Sequence, residues 1–286
     1  MRIVKGLVIA LILMLVMGLA VGCGGAKKEG ETKPVAQAPA PAPAPAAEKT
    51  TLDDIKAKGV IVIGTSNDVP FSYIDKDTKE LKGIDAEIMK YIADKMGVKI
   101  ETYTTDFSTL VSALKQKKFD IIVDAMYITE KRQAEINFTT PWYKEGEGLV
   151  VRKESTIKSI DDVKGKVVGV QTGTTFLDYA KTLPTKELKI YDSQATALLD
   201  LNNKRVDAVI TDSATAAYSI VHDSKLQLKL VSPYTTHFPG TIGAGVRKED
   251  TALLDEVNKL LADLKKEGKD LEILKKYGLN EDNRLP

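Results

Sequence analysis

Apolar side chains recur every fourth position at Ile84, Ile88, Ile92 and Met96, and Gly97 follows directly. This spacing lays one face of a helix against a core, and a glycine just past the last turn stops the helix in the left-handed conformation. Asp85 stands at the start, where a carboxylate accepts free N–H groups of the first turn, so it is expected as the N-cap. Ahead of this helix, residues 60–64 form an apolar run that breaks into the polar turn Thr65-Ser66-Asn67-Asp68. Behind it, residues 98–103 read as a strand. A helix capped near Ser108 carries Leu110, Val111 and Leu114, and an apolar run over 119–123 ends in Asp124.

The same grammar restarts further on. Residues 166–170 predict a strand, and Gln171-Thr172-Gly173-Thr174-Thr175 a polar turn into a helix. A strand over 189–191 precedes a helix over 194–202 with Ala195, Leu198 and Leu201 on one face. Another apolar run, 206–210, ends in Thr211-Asp212 and a helix from Ser213 to about His222. Strands alternating with helices argue an α/β fold with largely parallel sheets, and two runs of the pattern argue two lobes. Residues 149–152 and 242–247, both apolar and similar in pattern, are the expected joining segments. Helices over 251–266 and 269–277 would then complete the first lobe, and two crossovers side by side make a hinge.

Ligands in α/β folds sit where a strand breaks into polar residues and a helix begins. Arg132 falls at such a point, in the first turn of the helix after the 119–123 run, where the helix dipole favours an acid. A guanidinium fork suits a carboxylate held by two parallel hydrogen bonds, so Arg132 is the leading candidate for a carboxylate clamp.

The N-terminus changes the picture of where this chemistry happens. A basic Met1–Lys5 segment and an apolar run over 6–22 end in Ala20-Val21-Gly22-Cys23, the pattern of a secretory signal. Residues 34–47, largely alternating Ala and Pro, cannot build a core and favour extended polyproline II, a semi-rigid tether. Cys23 is the only cysteine, so the chain forms no internal disulfide and has no thiolate metal set. Lys plus Arg is 41 against 40 for Asp plus Glu, which leaves no net field for nucleic acid. The two histidines, His222 and His237, have no zinc spacing. Neither a metal nor a cofactor is expected.

Several motifs stand together in order: Gly64-Thr65 with Pro70-Phe71, Gly83-Ile84-Asp85-Ala86-Glu87-Ile88, and Ile128-Thr129-Glu130-Lys131-Arg132. They are followed by Phe138-Thr139-Thr140-Pro141-Trp142-Tyr143, Gly169 to Thr175, and Val206 to Asp212. In this the chain resembles the family 3 extracellular solute-binding proteins, amino-acid receptors of bacterial ABC importers, from Leu52 to about Tyr277. The resemblance implies a two-lobed periplasmic-binding-protein fold of type II, each lobe a mostly parallel sheet flanked by helices, joined by a two-strand hinge. It divides the chain into a lipoprotein signal (1–22), a lipid-anchored linker (23–50), lobe one (51–144 and 240–286) and lobe two (145–239). Cys23 resembles a lipobox cysteine, which places the protein in the cell envelope outside the cytoplasm. The implied partners are a free amino acid, a membrane permease and the membrane itself through the lipid, with the receptor a monomer.

Carried onto matching positions, the resemblance makes Arg132 the grip on the ligand α-carboxylate, aided by Thr174 and Thr175. Asp212 receives the α-ammonium, with the Ala125 carbonyl beside it, and Tyr127 stands where the family often has Ser or Thr. Phe107 and Phe71 are wall positions, with Tyr73 and Trp142 as further aromatic faces. An acid at Asp124 or Asp68, beside Ser66, suits a basic ligand tail, so arginine or lysine is the expected ligand. Two rivals are weighed. A dehydratase acting on cyclohexadienyl acids would need a general acid in the cleft, yet Glu145 and Glu147 read as solvated linker charges. A sensor domain of a larger receptor would need a second apolar span, and none follows.

Overall fold

The computed structural model describes residues 49–285. The signal over 1–22, lipidation at Cys23 and the linker up to residue 48 lie outside the described residues. The first helix, Thr51–Lys58, opens on a reciprocal cap. The Thr50 hydroxyl accepts the Asp53 N–H (3.2 Å) while the Asp53 carboxylate accepts the Thr50 N–H (3.0 Å).

Two five-stranded sheets follow. The first has the order Lys99–Thr104, Val60–Thr65, Ile121–Ile122, Gly245–Val246, Asn137–Phe138. The second runs Glu187–Tyr191, Val167–Gln171, Ala208–Asp212, Glu147–Arg152, Leu228–Leu230. In each, four strands run in one direction and one, Gly245–Val246 or Glu147–Arg152, runs against both of its neighbours, so each sheet is mostly parallel with a single reversed strand. The reason is local. Strands reached through a helix crossover return in the same direction, whereas Glu147–Arg152 and Gly245–Val246 enter directly from the other lobe and arrive reversed.

The chain passes between lobes on Tyr143–Glu145 and returns on Gly240–Ile242, an antiparallel pair with Tyr143 opposite Ile242. The expected joining segments therefore lie slightly upstream of where the pattern put them. Residues 149–152 belong to the second sheet and Gly245–Val246 to the first. Leu149, Val150 and Val151 are fully buried, and such an unbroken apolar run marks a sheet interior rather than a crossover. Helices Thr251–Lys266 and Lys269–Lys276 pack on Ile84–Met96, and Leu253, Val257 and Leu261 share one core with Ile88 and Ile92.

Some boundaries move. The 119–123 run pairs only at Ile121–Ile122, and the 206–210 run becomes Ala208–Asp212, carrying Asp212 into the strand. Ser108 caps nothing; it lies inside the 3₁₀ turn Phe107–Thr109. Asp85 is not the N-cap either. That place is Gly83, and the Asp85 side chain turns away from the helix end. Glu145 and Glu147 are buried at 4% and 1% exposure, not solvated. Glu145 accepts from Tyr127 Oη (2.7 Å), Ser213 Oγ (2.6 Å) and the Ala214 N–H (2.8 Å). Glu147 collects Tyr234 Oη (3.1 Å), the Thr236 hydroxyl and the N–H groups of His237 (2.6 Å) and Phe238 (2.9 Å). The chain returning to lobe one supplies the donors for Glu147, while Tyr127 and the start of the Ser213–His222 helix supply those for Glu145, so both buried carboxylates are satisfied.

Candidate functional site

Between the lobes lies a narrow, nearly closed cleft. Lobe one contributes Asp68, Phe71, Phe107, Asp124, Ala125, Tyr127 and Arg132 to its walls. Gln171, Thr174, Thr175, Phe176, Gln194 and Asp212 face them from lobe two. The lobes touch directly around it. Thr215 Oγ1 donates to the Val69 carbonyl at 2.9 Å, and the Tyr73 and Tyr218 hydroxyls meet at 3.1 Å.

Arg132 is placed by its own helix, Glu130–Glu135, whose N-cap hydroxyl on Thr129 accepts the Arg132 N–H at 3.2 Å. Its guanidinium lies over the Phe107 ring, 5.4 Å from the centroid. Nη1 donates to the Tyr127 carbonyl (2.7 Å), and Nη2 reaches across the cleft to the Gly173 carbonyl (2.9 Å). Among the described residues no carboxylate is within ion-pair distance. Burial lowers its pKa to about 10, with the charges of Asp212 and Asp178 opposing. Gly173 permits this approach. Its φ is +75°, and a Cβ there would stand 2.8 Å from Ser108 Cα, too close for any other residue.

Asp212 ends the strand Ala208–Asp212 and precedes the helix Ser213–His222, yet its side chain caps nothing. Glu145 takes the free Ala214 N–H instead. Asp212 Oδ2 accepts from Gln194 Nε2 (2.8 Å), and Oδ1 is buried with no donor among the described residues. Burial, together with the charges of Glu145 and Asp68, pushes this carboxyl well above its ordinary range.

Two more buried polar atoms on these walls lack a partner among the described residues: Thr175 Oγ1 and Gln171 Oε1. Buried polar groups are nearly always paired, so three unpaired atoms converging on one cleft mark a place for a polar ligand. Thr174 is different. Its hydroxyl accepts the Leu177 N–H (3.3 Å) and donates to the Gln171 carbonyl (2.8 Å), so its side chain is committed to the helix cap.

At the other end stand two acids of unequal freedom. Asp124 is 3% exposed and accepts Thr65 Oγ1 (2.7 Å), the Ser66 N–H (2.9 Å) and Ser66 Oγ (2.5 Å). Burial raises it to about 6, with those donors holding it down. Among the described residues the Asp68 carboxylate accepts only from Gln194 Nε2, at 2.6 Å, and burial plus the Asp124 charge raises it to about 8. The same amide thus bridges carboxylates of opposite lobes. Tyr127 directs its hydroxyl to Glu145, so it offers the cleft a ring, edge-on to Phe176 with centroids 5.5 Å apart.

Three expected residues do not line the cleft. Ser66 stands behind Asp124 as a donor to it. Trp142 is 1% exposed inside lobe one: its backbone N–H donates to the Ile242 carbonyl (2.7 Å), and the indole packs in the core. Tyr73 is likewise not part of the lining; it meets Tyr218 instead. Gln171, Phe176 and Gln194 were not anticipated. Gln171 and Phe176 flank the Gly173-Thr174-Thr175 turn and were readable from that proximity, while nothing in the sequence marks Gln194.

A family model matches residues 61–280, that of the bacterial extracellular solute-binding proteins, family 3. The chain is similar to the ABC transporter arginine-binding protein 1 of Escherichia coli (strain K12), 32% identical over 201 residues, 70% of this chain and 82% of that protein. It is also similar to the ABC transporter glutamine-binding protein GlnH of Bacillus subtilis (strain 168), 30% identical over 275 residues, 94% of this chain and 95% of that protein. Among solved structures, holo ArgBP from T. maritima superposes with a TM-score of 0.69 at 34% identity, over 79% of this chain and 99% of that one.

Proposed function

Because the chain belongs to the bacterial extracellular solute-binding proteins of family 3, we propose that it captures a free α-amino acid between closing lobes for delivery to an ABC-type permease. The lobes are 51–144 with 240–286, and 145–239. One observation carries the reading: a guanidinium and a carboxylate face each other across the cleft, with unpaired buried polar atoms beside them. An α-amino acid presents opposite charges a few ångströms apart and needs such a pair.

The ligand carboxylate exchanges with the Gly173 carbonyl on Arg132 Nη2 and takes the Thr175 hydroxyl as a further donor. The α-ammonium donates to Asp212 Oδ1 and to the Ala125 carbonyl. Between Phe71 and Phe107 the side chain points toward Asp68 and Asp124. Three acids against one guanidinium leave the cleft acidic, which favours a basic side chain, arginine or lysine. The named relatives, one arginine-binding and one glutamine-binding, keep both tails in the comparison. Neither Glu145 nor Glu147 is free to act as the general acid of a dehydratase, since each of their oxygens has protein donors. Cys23 carries the lipid that holds the receptor, a monomer, at the membrane.

Calorimetry against the twenty amino acids and ornithine tests this. Arg132→Ala and Asp212→Ala should each weaken binding by on the order of a hundredfold, about 3 kcal/mol, by leaving a buried ligand charge unpaired. Binding near wild type in either variant removes that residue from the grip.

A further inference from the structure

The run Gly83-Ile84-Asp85-Ala86-Glu87 has no part in the grip described so far, yet it touches everything around it. Gly83, at φ +123°, lies against the Phe71 carbonyl so closely that any Cβ would overlap it. The N–H groups of Ile84 and Asp85 donate to the carbonyls of Pro70 and Phe71, both at 2.9 Å. Glu87 accepts the Tyr277 hydroxyl (2.5 Å) and Lys276 Nζ (2.6 Å), which ties the run to the last helix of the lobe.

Asp85 itself is 2% exposed, with no cation in ion-pair distance among the described residues. Its Oδ2 accepts the Ala125 N–H at 2.5 Å, and its Oδ1 accepts the Tyr143 hydroxyl at 2.7 Å. Ala125 has φ +46°, a left-handed conformation uncommon for a residue with a Cβ, and it forms part of the cleft wall. Tyr143 is the first residue of the strand that crosses between lobes. One carboxyl therefore joins a strained peptide at the site to the start of the hinge.

A carboxyl buried without a cation is unfavourable compared with an apolar side chain of similar size. Burial pushes this one up to about 7. Packing alone gives no reason for an acid here. Accepting two donors at fixed positions does, and leucine has no atom for it. We propose that Asp85 is a positioning residue: by accepting the Ala125 N–H it fixes the left-handed backbone at Ala125, so that the Ala125 carbonyl in the next peptide meets the ligand α-ammonium, and it anchors this residue to the hinge through Tyr143. The proposal rests on the α-amino-acid reading above.

The test compares each ligand with its des-amino analogue: arginine with guanidinovalerate, and glutamine with glutaramate. Both members of a pair keep carboxylate and tail, and only one has the ammonium. In Asp85→Ala the preference for the amino acid over its analogue should shrink at least about tenfold, while the analogue binds within about threefold of its wild-type affinity. Asp85→Asn keeps one acceptor for the Ala125 N–H and a donor for the Tyr143 oxygen, so it should retain most of the preference. Should Asp85→Ala fail to fold, Asp85→Glu replaces it, since the extra methylene displaces the carboxyl from Ala125 and should narrow the preference while Asp85→Asn does not. Equal weakening of both members of a pair means a merely structural role and overturns the proposal. An unchanged preference in Asp85→Ala, or an equal one in Asp85→Glu and Asp85→Asn, overturns it too. A wild type that binds no α-amino acid defeats the underlying reading and this one with it.

Discussion

A basic ligand should bind this protein with the release of a proton, and glutamine should not match it. The group responsible is Asp68, which burial and the Asp124 charge raise from 3.8 to about 8. At pH 7 such a carboxyl is roughly nine-tenths protonated, and a guanidinium or ammonium placed beside it favours the ionised form and expels that proton. The sign follows. A raised acid opposes cation binding at low pH, so affinity climbs as pH rises and levels off above the folded pKa. Between pH 6 and pH 8 the gain is about fiftyfold, roughly 2.3 kcal/mol. That figure is a ceiling, because Asp68 keeps some solvent at the cleft edge and an opened cleft rehydrates it further. In the proposed grip Asp212 meets the α-ammonium that arginine and glutamine share, so its contribution cancels in the ratio of their affinities. Calorimetry of both ligands at pH 6, 7 and 8, in buffers of different ionisation enthalpy, reads the proton count directly. Arginine should release more protons than glutamine, by up to about one at pH 7, and Asp68→Asn should erase the difference. Equal proton counts for the two ligands, or a wild type that prefers glutamine at every pH, would refute the acid-tail argument and leave the α-amino-acid grip standing.

Glu145→Ala removes the acceptor shared by Tyr127, Ser213 and Ala214, leaving buried donors unpaired. Thermal or urea denaturation of the ligand-free protein should show a loss of about 2–4 kcal/mol, and a loss below about 0.5 kcal/mol would mean that water replaces the carboxylate freely. Cys23→Ser should release the protein from membranes or block its maturation, as read by fractionation; unchanged retention with normal signal cleavage would sink the lipoprotein reading.

Much of the fold was written in periodicity. The four-residue stripe of Ile84 to Met96 survives as a helix with Gly97 in the left-handed conformation behind it. The joining strands were misplaced because pattern reports burial, not destination. The apolar run 149–152 looks the same whether it links two lobes or sits inside a sheet, and only the partner strands decide. Asp85 shows a related blind spot. An acid at a helix start satisfies the rule for a cap, yet Gly83 already fills that place, and the rule says nothing of a donor 40 residues away.

The site divides along the same line. Arg132 was legible because it offends a local preference: a cation in a first helical turn has to be explained by something outside the helix. Asp212 came only through the resemblance, since a strand-end acid before a helix reads equally well as a cap; its side chain makes no cap bond and lies on the cleft wall. Gln194 offends nothing. Its helix was expected to bury Ala195 with Leu198 and Leu201, but the buried face is Gln194, Ala197, Leu198 and Leu201, rotated by about one residue. That rotation sends an amide into the cleft, where it holds Asp68 of one lobe and Asp212 of the other. Such a contact exists only where the two lobes meet, so no window of sequence contains it. The freer acid could not be chosen from sequence for the same reason. Asp124 and Asp68 are both aspartates in polar turns, and what separates them is that Thr65 and Ser66 spend their donors on Asp124 while Asp68 is left with one amide.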